Sequence, residues 1–132
     1  MKILFLAKRQ YMAKDLVSDR YGRFYEIPAA LAAAGHQVEL ICLAYRHVPR
    51  AGALQEGRLR IQSYELGLNP LYGFTRHYRR LDLLVKELVP DVIIAASDCY
   101  QIIIGAGLSR RHSIPLIADL YDNFEVYGAS HV

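Results

Sequence analysis

The 132-residue sequence predicts one α/β domain whose open, mostly parallel sheet carries helices on both faces. Short apolar runs recur along the chain, which is typical of strands buried on both faces. Between them, apolar residues return every three or four positions, which indicates helices. Glycine or proline stands at the ends of most of these segments. This alternation of strands and helices predicts a Rossmann-like sheet.

Five segments are predicted to be strands. The third alternates apolar and polar residues, so it is expected to be more exposed than the others. Right-handed crossovers between the strands predict the spatial order 3-2-1-4-5, with all five strands parallel. In chain order the strands are Ile3–Ala7, Val38–Leu43, Leu59–Tyr64, Val92–Ala96 and Leu116–Ala118.

The first helix is predicted to run from Phe24 to Ala34, because its apolar residues keep helix period. Gly35 follows as a stop signal. Pro28 fits only if the helix begins near Arg23–Tyr25, since the first backbone N–H groups of a helix have no partner within it.

The second helix is predicted over Leu71–Leu88, with Asn69-Pro70 as its N-cap and first position. Two segments lack periodicity and are rich in polar residues or glycine. They are Lys8–Arg20 and Pro49–Gly57, and both are predicted to be loops.

The segment Tyr100–Leu108 is ambiguous, because Ile102–Ile104 favour a strand by propensity. A helix is predicted there, since only a crossover lets the fourth and fifth strands pair in parallel. Gly105 and Gly107 are expected to let this helix approach the sheet closely.

Bulk properties limit the classes of partner. The net charge of +3 suits anionic small molecules or a membrane surface, but it is too small to indicate nucleic acid binding. No apolar stretch is long enough for a membrane span or a signal peptide. The expected location is cytoplasmic, with peripheral contact at the inner face of the membrane as an open alternative. The two cysteines, Cys42 and Cys99, are expected to be buried apolar residues.

Three loops leave the carboxyl ends of predicted strands, where open α/β sheets bind ligands. The first, Lys8–Arg23, is basic, and Gly22 lies where the first helix begins. Free N–H groups and the helix dipole make such an end suitable for an anion. A solvated basic loop is the equally simple alternative.

The second loop contains Ser97 and Asp98, each of which suits either a helix N-cap or a ligand contact. The third loop, Asp119–Glu125, concentrates carboxylates, an amide and a tyrosine that suit sugar hydroxyls. Its alternative is a turn built on Asp-Asn chemistry. The histidines lack metal-ligand spacing, so no metal is predicted.

The second predicted helix carries a basic cluster at Arg76, Arg79 and Arg80. A solvated helix face is the default interpretation. The alternative is contact with anionic lipid head groups, in which these three arginines meet the membrane.

Three motifs resemble those of the group 1 glycosyltransferases, the retaining family 4 enzymes with the two-domain GT-B fold. YGRFYEIPAALAAAGHQV at Tyr21–Val38 resembles their first helix and Gly-His-x-Val turn. PDVII at Pro90–Ile94 resembles their Pro-Asp-Val start of strand four. IPLIADLYD at Ile114–Asp122 resembles their Pro-x-x-x-Asp-x-His-Glu/Asp stretch. The motifs most resemble those of family members that act in bacterial exopolysaccharide synthesis.

The resemblance implies that residues 1–132 form the N-terminal, acceptor-side Rossmann-like domain of a GT-B enzyme, incomplete here and without the C-terminal domain that binds the donor. It implies positions for Gly22 and Arg23 near the donor phosphates, Asp98 near the acceptor, and Tyr121 and Asp122 as catalytic residues beside the reacting sugar. It also implies that Asp119 takes part in binding the donor phosphates or the acceptor. The chain has tyrosine at 121 where the family has histidine, and a single glycine before the first helix.

The function expected from this resemblance is sugar transfer from a nucleotide-sugar to a hydroxyl of a polysaccharide or lipid-linked saccharide. The nucleotide-sugar is a co-substrate, and no cofactor is expected. The 132 residues alone are expected to be inactive. The alternative is a non-catalytic α/β module that binds a nucleotide or a protein.

Overall fold

A computed structural model describes residues 1–11, 14–20, 22–46 and 53–120. Its strands are β1 (Lys2–Lys8), β2 (Gln10–Tyr11), β3 (Lys14–Asp15), β4 (Gln37–Ala44), β5 (Leu54–Glu56), β6 (Leu59–Glu65), β7 (Val92–Ala96) and β8 (Leu116–Asp119). Its helices are α1 (Leu16–Asp19), α2 (Arg23–Ala33), α3 (Pro70–Leu88) and α4 (Cys99–His112).

The main sheet has the order β5-β6-β4-β1-β7-β8. Five of these strands are parallel, and their order β6-β4-β1-β7-β8 confirms the predicted order 3-2-1-4-5. The fold class is therefore confirmed. The five predicted strands are all parallel, as predicted, but a sixth strand, β5, was not predicted from the sequence and pairs with β6 in the antiparallel direction.

Strand β5 lies within the segment predicted to be a loop. It forms a two-residue hairpin with β6, and Gly57 is the first turn residue, with a φ of 59°. Glycine adopts such a φ without strain, which explains its place in a tight hairpin. Leu54 packs against the core, so this short strand also covers apolar surface.

The first predicted loop also contains regular structure, namely the antiparallel pair β2–β3 and helix α1. A buried arginine organises it. Arg9 is only 2% exposed and holds Asp15 through two contacts of 2.9 Å, from Nε to Oδ1 and from Nη2 to Oδ2. Asp15 in turn caps α1 by accepting from the Val17 amide. A fully solvated basic loop is therefore excluded as a description of Arg9.

The core has two layers, one on each face of the sheet. One layer packs α2 against β1, β4 and β6, with Phe5, Phe24 and Leu40 fully buried. The other packs α3 and α4 against the opposite face, with Leu81 and Leu108 fully buried. Helices thus cover both faces, as predicted.

Helix α2 begins at Arg23 and ends before Gly35 as predicted, and its end follows the Schellman pattern. The amides of Gly35 and His36 bond to the carbonyls of Ala32 and Leu31. The prediction for Pro28 is only partly right. Pro28 is the sixth helical residue, so its missing N–H removes an internal hydrogen bond rather than one of the free first-turn donors.

Helix α4 confirms the helical prediction for Tyr100–Leu108. A Cβ on Gly105 would lie 2.9 Å from the Ala95 Cβ, so this glycine brings the helix close to β7. Gly107 does not approach the sheet as predicted. A Cβ there would meet the ring of Tyr78 at 3.2 Å, so Gly107 brings α4 close to α3 instead.

His77 of α3 is buried between the helix and the sheet, where its ring packs edge-on against Tyr64 at 5.7 Å. Neither ring nitrogen has a hydrogen-bond partner among the described residues. Burial, with a smaller effect of the Arg80 charge, lowers the pKa of His77 to about 4. The folded chain therefore keeps this imidazole neutral.

We predict that His77 makes the protein sensitive to mild acid. An unfolded histidine titrates near pH 6.5, so the unfolded chain binds this proton first, and stability falls as the pH drops from 6.5 towards 4. The loss approaches about 3 kcal/mol for a shift of this size. His77→Leu should flatten that part of the profile in urea unfolding measured between pH 7.5 and 4. His36→Gln, which changes a half-buried histidine outside the core, is the control; equal pH profiles for both variants would refute the prediction.

Candidate functional site

The candidate site lies at the edge of the sheet where the parallel strands end. The carboxyl ends of β1, β4, β7 and β8 lie at this edge, which is where parallel sheets bind ligands. Gly22 opens α2 there, with a φ of 82° that a side chain would strain. Its carbonyl accepts hydrogen bonds from the amides of Tyr25 and Glu26.

Arg23 and Asp119 are brought together by the fold. The Arg23 Nη2 lies 2.7 Å and 2.8 Å from the two carboxylate oxygens of Asp119. The side chains are 40% and 18% exposed, so the pair faces solvent in part. It connects the start of α2 with the end of β8, two of the three loops that the sequence predicted to hold the site.

Asp98 caps α4, which confirms one of its two sequence interpretations. Its Oδ1 accepts from the Gln101 amide at 3.1 Å, and its Oδ2 accepts from the Tyr45 hydroxyl at 2.7 Å. The Gln101 Nε2 donates to the same hydroxyl at 3.1 Å. Burial, followed by the hydrogen bond to Asp98, raises the pKa of Tyr45 well above its usual range. The phenol is thus a fixed neutral donor.

Ser97 does not cap the helix. Its Oγ accepts from the Lys8 amide at 3.0 Å and so joins the carboxyl ends of β1 and β7. Its φ of 83° is uncommon for a residue with a side chain. Backbone strain of this kind persists where neighbouring contacts hold it, and here the bond to Lys8 is one such contact.

The Arg9–Asp15 pair also stands at this edge and was not predicted as part of the site. Arg9 Nη1 donates to the Ser63 Oγ at 2.9 Å, so the guanidinium joins β1 to β6 across β4. Burial opposes ionisation of Asp15, but the hydrogen bonds from Arg9 and the Val17 amide outweigh it and lower the pKa of Asp15. The pair is a fixed structural element beneath the loops.

Three aromatic rings from three elements meet beside Asp98. Phe74 of α3 stacks on Tyr100 of α4, with ring centres 5.2 Å apart and an angle of 28° between the planes. Tyr45, which follows β4, lies 6.3 Å from each of them. Tyr100 is 53% exposed. We call Tyr45, Phe74 and Tyr100 the aromatic cluster.

The predicted catalytic residues Tyr121 and Asp122 lie outside the described residues. They directly follow Asp119 and Leu120 in the chain. Their placement beside the reacting sugar stays a prediction.

The two cysteines differ in exposure. Cys42 is buried as expected, and burial raises the pKa of its thiol to about 12. Cys99 is exposed, which corrects the expectation that both are buried. It occupies the first position of α4.

The three arginines of the basic cluster have different surroundings. Arg76 folds back to donate to the Glu65 carbonyl at 3.1 Å, and Arg80 lies over the Tyr64 ring at 5.3 Å. Arg79 is exposed and lines a groove of about 380 Å³ between α3 and α4.

A larger and more polar cleft, of about 530 Å³, lies at the opposite edge of the sheet. Lys2, Arg58 and Glu87 line it, together with Glu39, whose Oε1 accepts from Gln62 at 2.5 Å. Burial raises the pKa of Glu39. Parallel sheets bind ligands at the carboxyl ends of their strands, so we place the candidate site at the other edge.

Comparison with known proteins identifies the family. Residues 23–132 match the family model described as a glycosyl transferase 4-like domain. This chain belongs to that family. The resemblance predicted from the sequence motifs is therefore confirmed at the level of the family, while the role in exopolysaccharide synthesis stays a prediction. No curated protein sequence matches the chain significantly.

Solved structures support the fold of this glycosyl transferase 4-like domain. The C-terminal domain of a hydrogenase from Pyrococcus furiosus superposes with a TM-score of 0.59 at 17% identity, over 89% of this chain and 90% of that one. The UDP-GlcNAc 2-epimerase from Methanocaldococcus jannaschii superposes with a TM-score of 0.59 at 12% identity, over 89% of this chain but 31% of the epimerase. At these identities the likeness concerns the fold alone.

We predict that Tyr45 and Asp98 stabilise the domain as a coupled pair. Asp98→Ala removes both the cap and the acceptor for Tyr45, and should lower the unfolding free energy by about 1–2 kcal/mol. Tyr45→Phe should cost about 1 kcal/mol. The double variant should lose less than the two single losses added together, because both remove the same hydrogen bond. Urea unfolding measures all three variants, with Tyr72→Phe on the exposed start of α3 as the control. Strictly additive losses would show that the two residues act independently.

Proposed function

We propose that this chain is the N-terminal, acceptor-side module of a retaining glycosyltransferase. The enzyme would move a sugar from a nucleotide-sugar to a hydroxyl of a polysaccharide or lipid-linked saccharide in the cytoplasm. The observation that carries the proposal is the family match across residues 23–132. Four residues that the family resemblance assigns to the site lie within the described structure, and all of them stand at the carboxyl edge: Gly22, Arg23, Asp98 and Asp119.

The reaction makes separate demands on the two sides of the site. The bond from the anomeric carbon to the diphosphate oxygen breaks, and the nucleoside diphosphate leaves with that electron pair. The acceptor oxygen bonds to the anomeric carbon, and the proton of the acceptor hydroxyl passes to the released phosphate. Catalysis then depends on stabilising charge at the leaving phosphate and on positioning the acceptor. On this chain, Gly22 and Arg23 would face the phosphates, and Asp98 would face the acceptor.

The Arg23–Asp119 pair sets how Arg23 would act. Its guanidinium is bonded to both oxygens of Asp119, so the side chain is already oriented before a phosphate arrives. A planar guanidinium has five N–H donors, so it can bind a phosphate oxygen while still held by a carboxylate. Asp119 is therefore proposed as the residue that positions Arg23.

We predict that Tyr121→Phe and Asp122→Asn each lower turnover by about a hundredfold, as expected when a hydrogen bond or charge that stabilises the transition state is lost. The melting temperature should stay nearly unchanged. Transfer is measured with the protein expressed from its complete reading frame and a panel of radiolabelled nucleotide-sugars. Tyr127→Phe, six residues after Tyr121, is the control and should keep its activity.

Two results would contradict this assignment. Wild-type turnover in both variants would remove Tyr121 and Asp122 from the reaction. Failure of the unmodified protein to transfer or hydrolyse any nucleotide-sugar would contradict the proposed function itself and favour a binding module.

We also propose that α3 contacts an anionic membrane surface through the basic cluster Arg76, Arg79 and Arg80. Leu71 and Tyr72, at the start of the same helix, are 81% and 64% exposed and supply apolar contact area. Arg79 and Arg80 are exposed, whereas Arg76 is half-buried and bonded to a backbone carbonyl. The first two arginines would therefore supply most of the attraction. No helix in the described ranges is long and apolar enough to cross a bilayer.

The membrane proposal predicts binding that depends on charge. The protein should bind vesicles that contain phosphatidylserine, and binding should weaken with salt, since each basic residue near such a surface contributes about 1 kcal/mol. Arg79→Gln combined with Arg80→Gln should reduce co-sedimentation markedly. Arg58→Gln, which removes an exposed charge at the opposite edge, is the control. Equal binding to neutral phosphatidylcholine vesicles would argue against the proposal.

A further inference from the structure

The aromatic cluster is an ordered surface at the candidate site that the family match does not explain. Its rings come from the end of β4, from α3 and from α4, so the tertiary fold assembles it. Phe74 and Tyr45 are half-buried and support Tyr100 from within, while Tyr100 is 53% exposed. Single exposed aromatic residues are common, but this one is held in place by two other rings.

We infer that Tyr100, supported by Phe74, is a stacking platform for one pyranose ring of an uncharged saccharide acceptor. The inference rests on the proposed function, and it names the acceptor chemistry at that site. Asp98 would accept a hydrogen bond from a hydroxyl of the stacked ring.

The chemistry of the platform suits a pyranose. The face of an aromatic ring is electron-rich, and the face of a pyranose presents C–H groups with slight positive charge. Phe74 stacks on Tyr100, and Tyr100 is still 53% exposed, so part of its ring is accessible to a sugar. The stack is already formed, so little conformational entropy is lost when a sugar binds.

The polar groups beside Tyr100 favour a ligand that donates hydrogen bonds. Each oxygen of Asp98 accepts one protein hydrogen bond, from Gln101 or from Tyr45, and each has a second lone pair. The Tyr45 hydroxyl already donates to Asp98 and accepts from Gln101. Asp98 is half-buried rather than fully buried, and the inference assigns its remaining acceptor capacity to a sugar hydroxyl.

The charge beside Tyr100 favours an uncharged sugar over a phosphate. The carboxylate of Asp98 adjoins the platform and repels a phosphate, whereas sugar hydroxyls donate to it. The groove that begins at Phe74 and continues along Tyr78 and Ile104 is mostly apolar, with a volume of about 380 Å³. It leaves room beside the platform for the rest of a larger acceptor.

A tryptophan reporter tests the platform directly. The sequence has no tryptophan, so Tyr100→Trp places a single indole on the platform while keeping an aromatic face. Titration with methyl β-D-glucopyranoside should change its emission in a saturable way. Sorbitol, a linear polyol, should give no saturable change, and uridine monophosphate should bind more weakly than the pyranoside.

Variants without the tryptophan then test the ring itself. Their binding of the same pyranoside is measured by saturation-transfer NMR. Tyr100→Ala should weaken binding about tenfold, the size expected for loss of an aromatic contact. Tyr100→Phe should retain it, because the ring is kept. Ile103→Ala, which removes another exposed apolar side chain from α4, is the matched control and should bind like the unmodified chain.

The outcomes separate this inference from the proposed function. Pyranoside binding that survives Tyr100→Ala, or a preference for uridine monophosphate, overturns the platform. A chain that binds no pyranoside also overturns it. Failure to transfer sugar, with pyranoside binding still dependent on Tyr100, overturns the proposed function and leaves the platform standing.

Discussion

The burial of β1 on both faces is the constraint on which the rest of this structure depends. Ile3–Ala7 are at most 3% exposed, and β1 pairs with β4 on one side and β7 on the other. A strand without a solvent-facing side needs helices above and below it, and parallel neighbours require crossovers to supply them. The placement of α2 on one face and of α3 and α4 on the other follows from this requirement.

Parallel pairing also explains why the polar groups gather at one edge. Every crossover returns the chain so that the carboxyl ends of β1, β4, β7 and β8 lie at the same edge of the sheet. Within it, Arg9 with Asp15, Arg23 with Asp119 and Tyr45 with Asp98 satisfy one another's hydrogen bonds. These side chains are therefore held in place before any substrate binds, as catalysis by positioning of the substrate requires.

The sequence alone predicted those elements that depend on a local pattern of residues. The apolar runs, the Asn69 cap and the Asp98 cap are local signals, and the crossover requirement settled α4 against the strand propensity of Ile102–Ile104. It was insufficient where partners are distant. Arg9 is buried because Ser63, 54 positions away, completes its contacts, and Tyr45 joins the site through Asp98, 53 positions away. Strand β5 has only three residues, too few to show alternation.

The difference between the two cysteines has a practical consequence. A thiol-specific reagent attacks the thiolate, and Cys42 is enclosed in the core with its thiol pKa near 12, so it is shielded on both counts. Cys99 faces solvent immediately before Tyr100. A single maleimide probe would therefore attach to the folded protein at one position, the start of α4. The native chain can therefore be labelled with a spin label or fluorophore at the residue next to Tyr100 of the aromatic cluster, without any engineered substitution.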